Sequence, residues 1–330
     1  MENMHLHDIL IVKERGMYKR ATTKAKRIER EHINQIRRAK PELDIAHAEF
    51  NDDGMFNDIV IVNNMWIFRF PKYDWVQEDI QQEAACLSLV RTVSNLPVPE
   101  WEIHEEGFIS YRIIEGAPLS RNDLLDMSRE DQAQAAEDLA LFLSSLHAVE
   151  MPAMKKHRIG PSITRHSYSD WLSLYDEIRQ ELFPYLTSYM QDQIEHTFHP
   201  VLGDNTFMDC KESMVNGDLR AYHILYNPKS NRLSGIIDFG SAGFGDPAYD
   251  ISTIINQYGE GFAALLSRHY PGINDMIDRA RFWALTTELQ WALGGIRTQD
   301  TSWFLVHLGS ARDISPFGSP LLLTGSGDLR

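Results

Sequence analysis

Residues 214–250 read MVNGDLRAYHILYNPKSNRLSGIIDFGSAGFGDPAYD, and the order of apolar runs, turn formers and carboxylates in this stretch decides the fold. Ile224-Leu225-Tyr226 is a short apolar strand and Leu233 to Phe239 a second, separated by the turn formers Asn227, Pro228, Ser230 and Asn231. An antiparallel hairpin centred near Ser230 sets His223 roughly opposite Asp238, with Asp218 just ahead of the first strand. Two carboxylates and an imidazole then converge at one hairpin end, followed by Gly240, Gly243 and Gly245.

An Asp after Ile236-Ile237 would, alone, be no more than a strand terminator. Three polar groups at one end are another matter. Carboxylates held close raise one another's pKa unless a cation sits between them, and Mg²⁺ takes oxygen ligands while keeping waters and substrate phosphates.

The spacing G-D-L-x-x-x-[N/H]-I-L followed by I-D-F-G-x-x-x-x-G-D-P-x-x-D resembles the aminoglycoside phosphotransferase family, small-molecule kinases related to protein kinases, with aminoglycoside and macrolide phosphotransferases as the nearest types. The resemblance spans roughly residues 50–300. It implies an α+β, two-lobed protein-kinase-like fold, with an antiparallel sheet in a nucleotide-binding lobe (1–112) and a mainly helical catalytic and substrate lobe (113–330). It also implies that Asp218 orients or deprotonates a substrate hydroxyl while His223 and Asp238 hold Mg²⁺. Two positions depart from the family pattern. Asn216 stands where His is usual, and His223 where Asn is usual; a neutral imidazole can coordinate, although Mg²⁺ prefers oxygen.

Upstream, Asn51-Asp52-Asp53-Gly54 reads as a turn, Ile59 to Val62 as a strand, Asn63-Asn64 as a tight hairpin turn and Met65 to Phe70 as the next strand, stopped by Pro71. By resemblance this hairpin covers the nucleotide phosphates, with Gly54 in the covering loop. Arg69 is a charge inside the apolar strand Trp66-Ile67-Phe68-Arg69-Phe70, and Glu83 falls on the apolar stripe of the following helix, residues 76–91. Two misplaced opposite charges on consecutive elements are most simply paired with each other, because a buried unpaired charge costs several kcal/mol, of order ~3–5. The pair matches the strand-lysine and helix-glutamate of kinases, with Arg69 on the α/β-phosphates. Phe108 to Ile114 is a strand leading into an interlobe hinge at Glu115-Gly116-Ala117-Pro118. By the same resemblance, backbone groups of Arg112, Ile113 and Ile114 hydrogen-bond the base, and Tyr111 limits access behind it, a bulk that favours GTP over ATP.

Farther along, a helix ends near His147, and Trp171, Tyr175, Phe183, Tyr185 and Tyr189 either pack the core or line an acceptor pocket, packing being the simpler account. Asp246-Pro247 reads as the cap and first residue of a helix, and Asp250 as a brace for the loop around Asp218. A helix over 275–293 buries Phe282, Leu285, Leu289, Leu293 and Ile296, ends at Gly294-Gly295, and leaves Glu288 and Trp291 as candidates for contact with a cationic acceptor.

The 330 residues, 43% of them hydrophobic, suffice for a substantial core, and the net charge of −15 is uneven. Residues 1–40 hold 11 basic and 5 acidic groups, so the rest of the chain carries −21, a balance unsuited to nucleic acid. Two cysteines give no disulfide framework, the start MENMHLHDILIVKERG is too interrupted by charge for a signal peptide, and no run reaches a membrane span. The expectation is a cytoplasmic monomer or weak dimer that transfers the γ-phosphoryl group of ATP or GTP, with Mg²⁺, to a hydroxyl of an aminoglycoside. A macrolide, a metabolite such as choline, homoserine or an amino sugar, a nucleotide-binding pseudoenzyme and a metal-dependent hydrolase are the alternatives.

Overall fold

The computed structural model describes residues 23–52, 57–162, 164, 166–299, 317–318 and 320–321. Gly54 and the first 22 residues, which hold four of the 11 basic groups of residues 1–40, lie outside the described residues. The described part begins with helix α1 (Thr23–Ala39), whose Ile36 is buried against the first sheet. Strands β1 (Ala48–Asn51), β2 (Asn57–Val62) and β3 (Trp66–Pro71) follow, then helix α2 (Asp74–Val90), β4 (Glu102–Ile103) and β5 (Ile109–Arg112). The sheet order is β1-β2-β3-β5-β4, every pair antiparallel. Asn63 and Asn64 take left-handed φ of 55° and 52°, the conformation a two-residue turn demands and asparagine tolerates.

Strand alternation gives this sheet two apolar faces. Val60, Val62, Phe68, Phe70 and Phe108 pack with Ile36 on one. Ile59, Ile61, Ile67, Ile109 and Tyr111 pack with Ile80 of α2 on the other. Arg69, two residues after Ile67, therefore faces α2.

The segment after β5 crosses to a second, three-stranded sheet through β6 (Ala117–Pro118). Helices α3 (Arg121–Asp126), α4 (Arg129–His147), α5 (Met151–Lys156), α6 (Tyr168–Glu177) and α7 (Ser188–Gly203) come next. Serines start three of them: Ser120 and Ser167 form full capping boxes with Asp123 and Asp170, and Ser128 accepts from the Asp131 N–H. Then come β7 (Ser213–Val215), β8 (Ile224–Asn227), β9 (Arg232–Ile236), β10 (Gly243–Gly245), α8 (Ala248–Tyr258), α9 (Glu260–Leu266) and α10 (Ile273–Thr298). The sheet order β6-β8-β9 places the β8/β9 hairpin beside the crossing segment, and Ile236 N–H also donates to the Pro97 carbonyl at 3.0 Å. The helices close over one core holding Phe142, Leu146, Trp171, Phe198, Ile251, Phe262, Phe282 and Trp283. None of the described helices is long and apolar enough to cross a membrane.

Several boundaries differ from the sequence reading. Strand β9 ends at Ile236, not Phe239, and Ile237 N–H, not Asp238, faces the His223 carbonyl at 2.9 Å, because Asp238 turns out of the strand at φ 64°. Strand β3 includes Pro71, which pairs with Asn57 at the strand's end, where a missing N–H costs little. Residue 247 caps α8 and Asp246 stands just before it, its Oδ1 accepting from the Ala248 N–H at 3.0 Å. Helix α10 runs through Gly294-Gly295 to Thr298 and stops at Gln299, which is left-handed at φ 58°. Gly295 is buried in that helix, so a residue without a side chain serves packing there rather than termination. Phe282 and Leu293 are buried as expected, whereas Leu285, Leu289 and Ile296 are only half-buried.

Candidate active site

Strand β7 delivers Asn216-Gly217-Asp218 to the end of the β8/β9 hairpin. Gly217 has φ 80°, and a Cβ there would come within 2.6 Å of the Ser241 carbonyl, so only glycine lets the two loops approach. Asp250, wholly buried at the start of α8, receives the turn: Gly217 N–H donates to its Oδ1 at 2.8 Å and Asn216 N–H to its Oδ2 at 2.9 Å. His147 at the end of α4 also reaches Asp250 Oδ2, at 3.1 Å through Nε2, and its Nδ1 lies 3.1 Å from the Tyr270 hydroxyl. Burial, then the nearby Asp250, pushes the Tyr270 phenol up to about 12, so that it remains an O–H donor to the ring.

Asn216 resolves its own departure from the family pattern. Its Nδ2 donates to the Asp238 carbonyl at 2.9 Å, and its Oδ1 accepts from the Asp218 N–H at 3.0 Å. One buried amide thus ties the two acidic loops together, using a donor and an acceptor at once.

Asp218, His223 and Asp238 each bring one ligand atom to a cluster in which all three lie within 4.8 Å of one another. His223 sits on the single 3₁₀ turn Ala221–His223 that precedes β8. Its Nδ1 lies 2.7 Å from the Asp218 carbonyl, which can only accept, so in the neutral ring the proton is on Nδ1 and the lone pair on Nε2 faces Asp238 Oδ2 at 3.4 Å. Two electron-rich atoms facing at that distance, with a second carboxylate beside them, form a donor set suited to a divalent cation.

The sequence reading passed over Arg220. Its Nε donates to Asp218 Oδ1 at 2.9 Å, and its guanidinium lies 5.2 Å from the ring centre of Trp291 on α10. Trp291 is therefore linked to the cluster through an arginine. Glu288 stands one turn earlier on the same helix and, like Trp291, is half-buried. A basic residue two positions after the Asp of the Asn216-Gly217-Asp218 turn was the available signal for Arg220; its stacking on a helix 71 positions later had none.

On the sheet side, Arg69 and Glu83 meet: Nη1 to Oε1 is 3.4 Å, with side chains only 10% and 7% exposed. Glu83 Oε1 also accepts the Phe239 N–H at 3.2 Å, so the carboxylate couples the sheet to the loop carrying Asp238. Arg69 lies over the Trp101 ring at 5.1 Å, a contact that sequence reasoning missed. Tyr111 is buried opposite Ile67, 6.5 Å from Trp101 ring to ring. Arg112 turns outward over Trp66, Ile113 N–H donates to the Met65 carbonyl at 2.9 Å, and Ile114 N–H donates to no backbone carbonyl among the described residues. Of the aromatic set, Trp171 belongs to the core, Tyr175 and Phe183 pack against it, and Tyr185 and Tyr189 are exposed. A cavity of 520 Å³ lined by Met151, His166, Met208 and Cys210 lies before β7, at its opposite end from Asp218, and shares no residue with the cluster.

The model of the phosphotransferase enzyme family (APH) matches residues 47–283. The uncharacterized protein YcbJ of Bacillus subtilis is 26% identical over 258 residues, 73% of this chain and 79% of its own length. Viomycin phosphotransferase of Streptomyces vinaceus is 28% identical over 158 residues, 47% of this chain and 52% of its own. Among solved structures, the GDP complex of wild-type aminoglycoside 2'-phosphotransferase-IIIa is similar with a TM-score of 0.75 at 23% identity, covering 84% of this chain and 95% of that one. Macrolide 2'-phosphotransferase type I has a TM-score of 0.66 at 19% identity, covering 89% and 98%. These structures share the kinase-like architecture, an antiparallel sheet region followed by a helical part.

Proposed function

Because this chain belongs to the phosphotransferase enzyme family, we propose that it moves the γ-phosphoryl group of ATP or GTP to a hydroxyl of a small molecule, with an aminoglycoside as the first acceptor class and a macrolide as the second. The observation that carries this reading is the meeting of Asp218, His223 and Asp238 within 4.8 Å of one another. In this reading residues 1–112 bind the nucleotide and 113–330 hold the acceptor, in a cytoplasmic protein whose activity would confer antibiotic resistance. The relatives' names support the acceptor classes, and the fold supports the donor.

Asp218 orients the acceptor hydroxyl and takes its proton, held in place by the Asn216 and Asp250 bonds. His223 and Asp238 would hold Mg²⁺, which when bound neutralises charge on the nucleotide phosphates. Arg69 supplies planar, bidentate-capable donors for α/β-phosphate oxygens, and Glu83 with Trp101 fixes the orientation of that fork. Arg112, Ile113 and Ile114 line the base, Ile113 with only its carbonyl to offer and Ile114 with its N–H. Tyr111, buried behind them, restricts the base pocket and favours GTP. Catalysis of this kind rests on positioning and charge neutralisation rather than covalent chemistry. A panel of aminoglycosides, macrolides and amino alcohols, each with ATP and GTP, tests it: phosphorylated product is expected for one class, abolished in Asp218→Ala while nucleotide binding persists. Binding without turnover across the panel would favour a pseudoenzyme instead.

A further inference from the structure

We propose that Arg220 is a catalytic residue that binds the transferring phosphoryl group, an arginine supplied from within the chain; the assignment rests on the small-molecule kinase reading above. Three observations carry it. First, Nε of Arg220 holds Asp218 Oδ1 at 2.9 Å, so the guanidinium lies beside the carboxylate at which hydroxyl and phosphoryl group must meet. Second, that single bond uses one edge of the fork, and the two terminal nitrogens donate no hydrogen bond to the described residues. Third, the guanidinium lies against Trp291 with its side chain 16% exposed, which fixes its plane and leaves a narrow opening. Burial works against its charge, but Asp218 together with Tyr222 and Tyr249 more than offsets it, and Arg220 stays firmly cationic.

A guanidinium so placed can keep Nε on Asp218 while its terminal nitrogens take two phosphoryl oxygens, fixing the distance between base and phosphorus. In the reaction the bond from the γ-phosphorus to the β-bridging oxygen breaks and a bond to the acceptor oxygen forms. The hydroxyl proton passes to Asp218, and the nucleoside diphosphate leaves with the bridging electron pair. Arg220 offsets charge on the transferring group throughout and exchanges no proton. Lysine, a single point charge, cannot serve both partners.

The test uses Mg²⁺-dependent hydrolysis of GTP and ATP, with water as acceptor, so no acceptor need be known. Arg220→Ala is expected to lower kcat by about 10²–10³-fold with nucleotide KM little changed, and added guanidinium ion to restore at least about tenfold of it. Arg220→Lys is expected to lose at least about tenfold, and serves alone if the alanine variant does not fold. Full kcat in either variant overturns the assignment. So does a loss in a folded, GDP-binding Arg220→Ala that guanidinium does not rescue, since Arg220 then only positions Asp218. A wild-type chain that hydrolyses neither nucleotide and phosphorylates nothing in the panel overturns the kinase reading and this assignment together.

Discussion

Asn216 and Asp238, 22 positions apart, are joined by a 2.9 Å hydrogen bond from the Asn216 amide to the Asp238 carbonyl, while the same side chain accepts from the Asp218 N–H. Asp238 is left-handed at φ 64°, a conformation a non-glycine residue keeps only when its surroundings hold it. The amide is one such hold.

Asn216→Asp removes the donor and turns an oxygen toward the Asp238 carbonyl. A fall of roughly 10²-fold in kcat/KM is expected, the scale of a 1 Å misplacement at a reacting centre. Asn216→His, which keeps a donor and an acceptor, is expected to stay within about tenfold of wild type. Steady-state kinetics on the two variants check the ranking, and equal activity in both would show that the link does not matter.

Removing divalent metal with a chelator should abolish turnover, and Mg²⁺ should restore it. His223→Asn replaces an imidazole nitrogen by an amide oxygen, the ligand Mg²⁺ prefers, while Mn²⁺ accepts either. The ratio of Mg²⁺- to Mn²⁺-supported kcat should therefore rise in His223→Asn. An unchanged ratio would place His223 outside the metal's ligand set.

Glu83→Gln leaves the Arg69 guanidinium without its carboxylate and weakens the bond to the Phe239 N–H. Nucleotide affinity should fall by roughly 10- to 10²-fold, in line with the ~1.5–3 kcal/mol typical of a charge-assisted hydrogen bond. Calorimetric titration with the Mg²⁺ complexes of GDP and ADP measures it, and also reports which base Tyr111 admits.

How far the sequence carried the site follows from what each feature depends on. The turn at Asn63-Asn64, the pairing of Arg69 with Glu83 and the meeting of Asp218, His223 and Asp238 rest on local propensity or on a charge out of place in an apolar pattern, and those are visible along the chain. The end of β9 was not, because Ile237 and Phe239 are apolar whether or not the strand continues, and Asp238 leaves it through a backbone angle that no pattern encodes. Nor was the passage of α10 through Gly294-Gly295, since glycine ends a helix or admits close packing according to what lies against it. Arg220 met Trp291, and Trp101 met Arg69, only through tertiary contacts.

Asp250 is wholly buried and accepts two backbone N–H groups and the His147 ring. Asp250→Ala strands both N–H groups, at about 1–3 kcal/mol each, so a loss of roughly 2–6 kcal/mol in unfolding free energy is expected together with loss of activity. His147→Gln retains a donor toward Asp250 and should lose less than half as much. Urea denaturation of both variants gives the comparison.

His166, stacked on Trp171 at 4.6 Å, has its pKa lowered from the ordinary histidine value, chiefly by burial, against the opposing pull of the Thr164 carbonyl and Asp170. A histidine whose folded pKa lies below its unfolded one binds fewer protons when folded. The stability it contributes is full above about pH 6.5 and is lost as pH falls through the folded value, with a limiting slope of about 1.4 kcal/mol per pH unit. His166→Phe keeps a ring against Trp171 and cannot titrate. The difference in unfolding free energy between wild type and this variant should therefore be flat from pH 8 to about pH 6.5 and should shift against the wild type below it. Other buried histidines, His104 among them, contribute equally to both chains and cancel. Urea denaturation at closely spaced pH values measures the difference, and a constant gap down to about pH 5 would mean that His166 meets solvent protons as easily folded as unfolded.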